Sequence, residues 1–485
     1  MGVITGKPRR QVTEINRVIA RGQSYGAIDD VVDSPVLAGP LRTPRWWWIG
    51  FGIAMSFLAM YLVSVVVLIV VGTGVWGNNV PVAWGMPIIN FVWWIGIGHA
   101  GTLISAALLL FRQPWRTTIN RFAEAMTIFA VVCAGLYPIL HLGRPWVFYW
   151  LAPYPNTFGL WPQFRSPLDW DLFAIGTYGS VSILFWYIGL VPDLATLRDR
   201  ARGKFQRIFY SALCLGWNGS TKGWQRYQRA YLLLAALSFP LVLSVHSTIA
   251  MDFSVAQLPG WNNTVFPPYF VAGAVFAGFS MVLILAIPLR KAFGLEGLIT
   301  IRHLDNSAKL MLATGLMVLY GYSIEAFMAW YSGAEFEKYM IFNRIFGDHW
   351  WAFWLLITCN GVAIQPLWFR RVRQNPRALL VISMIVAVGM WLERFVIVAV
   401  TLTKDFLPSS WADYRTTFWD WSLYLGSFGL FATLFFLFIR LLPSIATTEA
   451  KELAHHDAHH GSDYLEEVRA QEAPYETPVV KGAQA

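Results

Sequence analysis

Residues 86–111 read MPIINFVWWIGIGHAGTLISAALLLF, an unbroken apolar run with no Lys, Arg, Asp or Glu and a single titratable side chain, His99. A helix needs roughly 20 such residues to cross about 30 Å of hydrocarbon, so this run is long enough to span a bilayer. Nine more runs of the same kind follow the pattern: Trp46–Val75, Phe122–Leu140, Trp170–Leu190, Ala230–Met251, Pro268–Leu289, Leu310–Tyr331, Trp350–Phe369, Ala378–Leu402 and Phe418–Phe438. Only 13% of the 485 residues are charged and 56% are hydrophobic, with mean hydropathy +0.48, whereas a soluble chain carries about 25% charge. The sequence therefore predicts an all-α polytopic membrane protein with ten transmembrane helices. Soluble enzymes, peripheral proteins and single-span receptors are excluded.

The net charge of +9 does not point to nucleic acid, because of where the charge lies. Of the 37 Lys and Arg residues, 30 fall in the tails and loops on the side of the two termini, six in the opposite loops, and only Arg394 inside a span. Cationic residues collect on the cytoplasmic side of membrane proteins, so both termini are expected in the cytoplasm. Three cysteines (Cys133, Cys214, Cys359) stand far apart with no CxxC or CxxCH, so no haem or iron–sulfur cluster is expected on this chain. No signal peptide is visible. The polar tail 1–45 reads as an extended segment, and 193–229, with Arg alternating with Phe205, Phe209 and Tyr210, as an interfacial amphipathic helix. The tail 444–485 is polar and low in complexity; its His455, His456, His459 and His460 read as solvated rather than metal-binding, and no metal site is predicted.

Ionisable groups inside a bilayer are costly and face a protein interior or a wet cavity. By the topology, His141 ends span three on the outer side, Asp171 opens span four there, and His246 and Asp252 close span five there. Glu325 lies about 9 Å inside the outer end of span seven, and Glu393 and Arg394 roughly 12–14 Å inside that of span nine. Acidic, basic and imidazole groups from five spans thus share one outer layer. Glu124 sits near the inner edge, and His99 between the two zones with Thr102 and Ser105 close by. Several of these have a structural reading. Ser166, Pro167 and Asp169 fit a capped helix start, which leaves Asp171 without a capping duty. His246 and Asp252, six residues apart, point about 240° apart on an unbroken helix, so Asp252 is favoured for a pocket and His246 is left open. Arg394 beside Glu393 fits a buried ion pair equally well. Oxidising a hydroquinone needs two proton acceptors and an apolar slot, and a histidine with a carboxylate meets the first need.

His141-Leu142-Gly143-Arg144-Pro145-Trp146, then Phe148-Tyr149-Trp150 and Phe164-Arg165-Ser166-Pro167-Leu168-Asp169-Trp170-Asp171, resembles the signature of NrfD-like, polysulfide-reductase-type quinone-interacting membrane subunits. A second block, Leu243-Ser244-Val245-His246-Ser247, Asp252-Phe253, Pro259-Gly260-Trp261 and Phe266-Pro267-Pro268-Tyr269-Phe270, resembles the C-type membrane subunit of alternative complex III. The resemblance implies two four-helix bundles, 86–251 with the quinol site and 268–402, flanked by helices at 46–75 and 418–438. It implies a bacterial inner-membrane subunit that binds menaquinol or a related quinol near the outer face. His141, Asp171 and Asp252 would contact the quinol, with His246, Arg394 and Glu393 as further candidates. It also implies partners: an outer iron–sulfur subunit, multihaem cytochromes c and a paralogous membrane subunit. Proton movement is suspected in the family, with His99, Glu124 and Glu325 as candidates here. Three alternatives stand beside this reading: a quinone-reducing subunit of another respiratory oxidoreductase, a b-type cytochrome using His141 and His246, and a secondary transporter with inverted repeats.

Overall fold

The computed structural model describes residues 18–20, 23–39, 42–152 and 167–460, with side chains up to residue 455. Among these residues nine helices are long and apolar enough to cross a membrane. They are α2 (Arg45–Val71), α3 (Gly85–Leu110), α4 (Asn120–His141), α5 (Pro167–Arg200), α7 (Thr221–Ser254), α8 (Phe266–Ala292), α9 (Ile301–Tyr331), α12 (Pro376–Phe395, continuing as a π-turn at Val396–Val400) and α13 (Phe418–Leu441). Shorter helices are α1 (Tyr25–Leu37), α6 (Lys204–Leu213), α10 (Glu335–Phe346), α11 (Trp350–Ile357) and α14 (Thr447–His460). The chain is a polytopic all-α membrane protein.

Nine of the ten expected spans form such helices, and the count of ten is not confirmed among the described residues. The eighth run, 350–369, is helical in pieces: α11, a π-turn at Thr358–Val362, and a 3₁₀ turn at Gln365–Trp368. Pro366 lacks the N–H that would continue the ladder. Asn360 fills the widened turn, its Oδ1 so close to Gly389 of α12 that a Cβ there would stand 2.1 Å away. Three other expectations need correction. Part of the N-terminal tail is helical, not extended: Ser24 Oγ accepts from Ala27 N at 3.2 Å and starts α1. Part of the C-terminal tail is helical as well, because α14 is pinned by ion pairs from Glu449 to Arg116 (2.8 Å) and from Lys451 to Asp29 (2.6 Å). Within 193–229 three elements share the sequence: the end of α5, the short amphipathic α6, and the start of α7. Hydropathy stops where charges begin, but a helix continues into water on its own hydrogen bonds.

Helix α3 is the centre of the molecule. It is hydrophobic on every side, as a fully surrounded helix must be, and is buried along nearly its whole length against α4, α7, α8, α12 and α13. Helix α2 is peripheral, packed mainly on α13. There Gly426 and Gly429 let the backbones meet; a Cβ would stand 2.7 Å from Tyr61 Cα and 2.3 Å from Leu58 N. α1 and α14 lie together, so both described ends of the chain emerge on one face, called here the terminal face; the other is the distal face.

Candidate functional site

At the distal face the ends of α4, α5 and α7 close around a cavity of about 350 Å³. Its walls are apolar (Ile88 and Phe91 of α3, Pro138 of α4, Leu172 and Ile175 of α5), and Phe148 and Leu151 of the following 3₁₀ turn lie over it. Among the described residues, His141, Asp171 and Asp252 are the titratable ones that line it. His141 is the last residue of α4, where Gly143 turns the chain at φ +69°. Its ring stacks on Trp76, centroids 6.2 Å apart and 8° from parallel. Asp171 sits one turn into α5, and Asp252 lies two residues before the end of α7. The two carboxyl groups face the same cavity from α5 and α7. His141 Nδ1, Asp171 Oδ1 and Asp252 Oδ1 are buried and have no hydrogen-bond partner among the described residues. Each such atom costs about 1–3 kcal/mol, and three on one apolar cavity form a ready receptor for a ligand carrying hydroxyl or carbonyl oxygens.

α7 is unbroken, so His246 faces away from Asp252. Its Nδ1 lies 2.9 Å from His99 Nδ1 of α3, and the His99 ring lies 4.4 Å from that of Tyr178. The two Nδ1 atoms are at hydrogen-bonding distance, and neither Nε2 atom has a partner among the described residues. With His141 on Trp76 and His246 on His99, the two histidines of the b-type cytochrome alternative are turned to different neighbours. Glu393 and Arg394 form a buried ion pair of 2.5 Å. Tyr322 donates to Glu393, and the Arg394 guanidinium sits 4.0 Å over the Phe270 ring, itself in contact with His246. Glu325 is bound to Arg344 of α10 at 2.6 Å, and Arg344 also donates to Thr401 Oγ1 at 2.7 Å.

Near the terminal face Glu124 accepts from Ser105 and, at 3.1 Å, from Tyr231. Arg121 reaches Glu124 (3.4 Å), Gly189 O (2.7 Å) and Asp193 (2.9 Å), and Thr448 of α14 donates to Asp193. Sequence reading missed Arg121, Asp193 and Tyr231. Their one available signal was the i, i+3 spacing of Arg121 and Glu124. Trp76, which orients His141, gave no signal because it lies between spans. Ser166, expected to cap α5, lies outside the described residues, as do the side chains of His456, His459 and His460; His455 Nδ1 is 2.6 Å from Tyr25 Oη.

A buried helical core of membrane-spanning length, with a cavity under one face, defines a multi-pass membrane protein. Residues 74–404 match the family described as polysulphide reductase, NrfD, and the chain belongs to that family. It is 27% identical over 233 residues to a putative dimethyl sulfoxide reductase membrane subunit of Halobacterium salinarum, a match covering 45% of this chain and about half, 49%, of that relative. It is 22% identical over 383 residues to a selenate reductase subunit of Mesobacillus selenatarsenatis, covering 74% of this chain and 86% of that protein.

Proposed function

We propose that this chain is the quinol-oxidising membrane subunit of an alternative complex III-type oxidoreductase in the bacterial inner membrane, with both termini cytoplasmic and the distal cavity toward the periplasm. The substrate is menaquinol or a related quinol. The observation that carries this reading is the convergence of three unpartnered buried polar atoms, on His141, Asp171 and Asp252, in one apolar cavity. The cavity falls within the roughly 300–1,000 Å³ of small-molecule sites and suits an aromatic head group. Two phenolic O–H bonds break during the reaction. One proton goes to His141 Nδ1 and the other to the carboxylate of Asp171 or Asp252; both then leave at the distal face. The two electrons pass to an iron–sulfur subunit on that side and from it to multihaem cytochromes c. A paralogous membrane protein stands beside this chain in the bilayer.

The names of the relatives support a second destination for the electrons, a reductase partner in place of cytochromes, with the same quinol chemistry in this chain. For proton translocation the supported route runs from the His246–His99 pair along Thr102 and Ser105, one side of α3, to Glu124; Glu325 is held apart by Arg344. Asp171→Asn in the assembled complex tests the central claim. Quinol-dependent acceptor reduction is expected to fall about 10²–10⁴-fold with assembly unchanged, and turnover near wild type would overturn the assignment.

A further inference from the structure

A second recess lies away from that cavity and is independent of the quinol reading. It is a groove of about 710 Å³ between α2, α8, α12 and α13, lined almost wholly by carbon. Trp93 of α3 lies at its base, with its indole N–H already given to Ala387 O at 3.1 Å, so the groove offers nothing to a polar head group. It begins at the terminal face beside Trp46 and Ala292, where Trp46 meets Phe293 edge-on at 5.5 Å, and it reaches Met281 along α8. Eleven residues of helix rise about 16 Å, close to the roughly 15 Å of hydrocarbon in one leaflet. A transmembrane helix, about 30 Å long and 10 Å wide, is several times too large for it. Arg45 and Lys291 are the sequence neighbours of the lining residues Trp46 and Ala292, at the same helix ends; both are exposed and neither has an ion-pair partner among the described residues.

We infer that this groove binds one acyl chain of an anionic phospholipid from the leaflet on the terminal face, with its phosphate held by Arg45 and Lys291. Cationic residues at the membrane surface select anionic lipid, and a tryptophan at the head-group level fixes the depth. The test uses the full chain in its native membranes and two photoreactive lipids, phosphatidylglycerol and phosphatidylcholine, each with a diazirine at the chain end. Phosphatidylglycerol is expected to mark Met281, Ile284 or Phe428 in excess over phosphatidylcholine. Arg45→Gln and Lys291→Gln should each lower that preference roughly fivefold. Ala432→Trp, which narrows the groove, should lower labelling by both lipids. Equal labelling by the two lipids, labelling unchanged by Ala432→Trp, absence of adducts in the groove, or capture of a neighbouring protein helix there would each overturn the inference.

Discussion

The two faces of the molecule hold the same kinds of side chain in opposite states. Near the terminal face Arg121, Glu124 and Asp193 are buried and paired with one another: Arg121 serves both carboxylates and a backbone carbonyl, with only its Nε left over, Ser105 and Tyr231 donate to Glu124, and Thr448 donates to Asp193. At the distal face His141, Asp171 and Asp252 are just as enclosed by apolar walls, yet each keeps a polar atom with no partner. A buried charge network that is satisfied locks helices together, whereas one left open is stable only if something else completes it. Neither burial nor a single unpartnered atom identifies a site here, since Arg121 Nε is one as well; three such atoms meeting on one apolar cavity do.

The largest expected contrast lies between one substitution at each face. Asp252→Asn should lower quinol-dependent turnover about 10²–10⁴-fold, while the thermal midpoint in detergent shifts little, since no intact partner is stranded. Arg121→Gln should leave two buried carboxylates without their cation and destabilise the fold by about 3–5 kcal/mol, seen as early thermal unfolding. An Arg121→Gln protein that unfolds normally but has lost turnover would break the contrast and move the terminal cluster into the function.

How far the sequence revealed this depends on which surface a residue faces. Span positions were legible because lipid demands apolar side chains over a fixed length; the ends of α5 and α7 were not, since they continue with polar residues beyond the bilayer. The interruption at Asn360 and Pro366 was hidden within an apolar run that hydropathy reads as uniform. His141, Asp171 and Asp252 could be grouped by depth alone, because each lies at a helix end on one side. The pairing of His99 with His246 could not, since it depends on which faces of α3 and α7 meet. Arg121 lay just outside an expected span and read as one more cation of the positive-inside pattern.

The imidazole pair sharpens the comparison because it lies between the two faces. His99→Ala leaves His246 Nδ1 without its partner at 2.9 Å, at a cost of about 1–3 kcal/mol in thermal stability. Turnover in detergent should persist while proton translocation in proteoliposomes is lost; unchanged translocation would remove the pair from the proton route. A smaller effect is expected at Gly143, whose φ of +69° and contact with Thr73 (a Cβ would stand 2.7 Å from Cγ2) fix the turn after His141. Gly143→Ala should cost roughly 1–2 kcal/mol and raise the quinol KM more than it lowers kcat, with partial recovery when Thr73→Ser removes the clashing methyl.

The smallest effect concerns the terminal face, where the pairing of charges can be tested with pH. Asp33 of α1 is buried 3.0 Å from Arg200 Nη1. Burial, reinforced by Asp29, nevertheless pushes its carboxyl up to about 7, with Arg200 opposing the rise. A folded-state value above the ordinary 3.8 means the contribution to docking is complete below about pH 4 and is lost as pH rises through about 7. Hydrogen-exchange protection of residues 25–37, corrected for intrinsic rate, should therefore decline across that window, and Asp33→Asn should make it flat. Protection that instead grows with pH would mean that the Arg200 ion pair outweighs desolvation. In that case α1 would be held by paired charges, as the Arg121 cluster is.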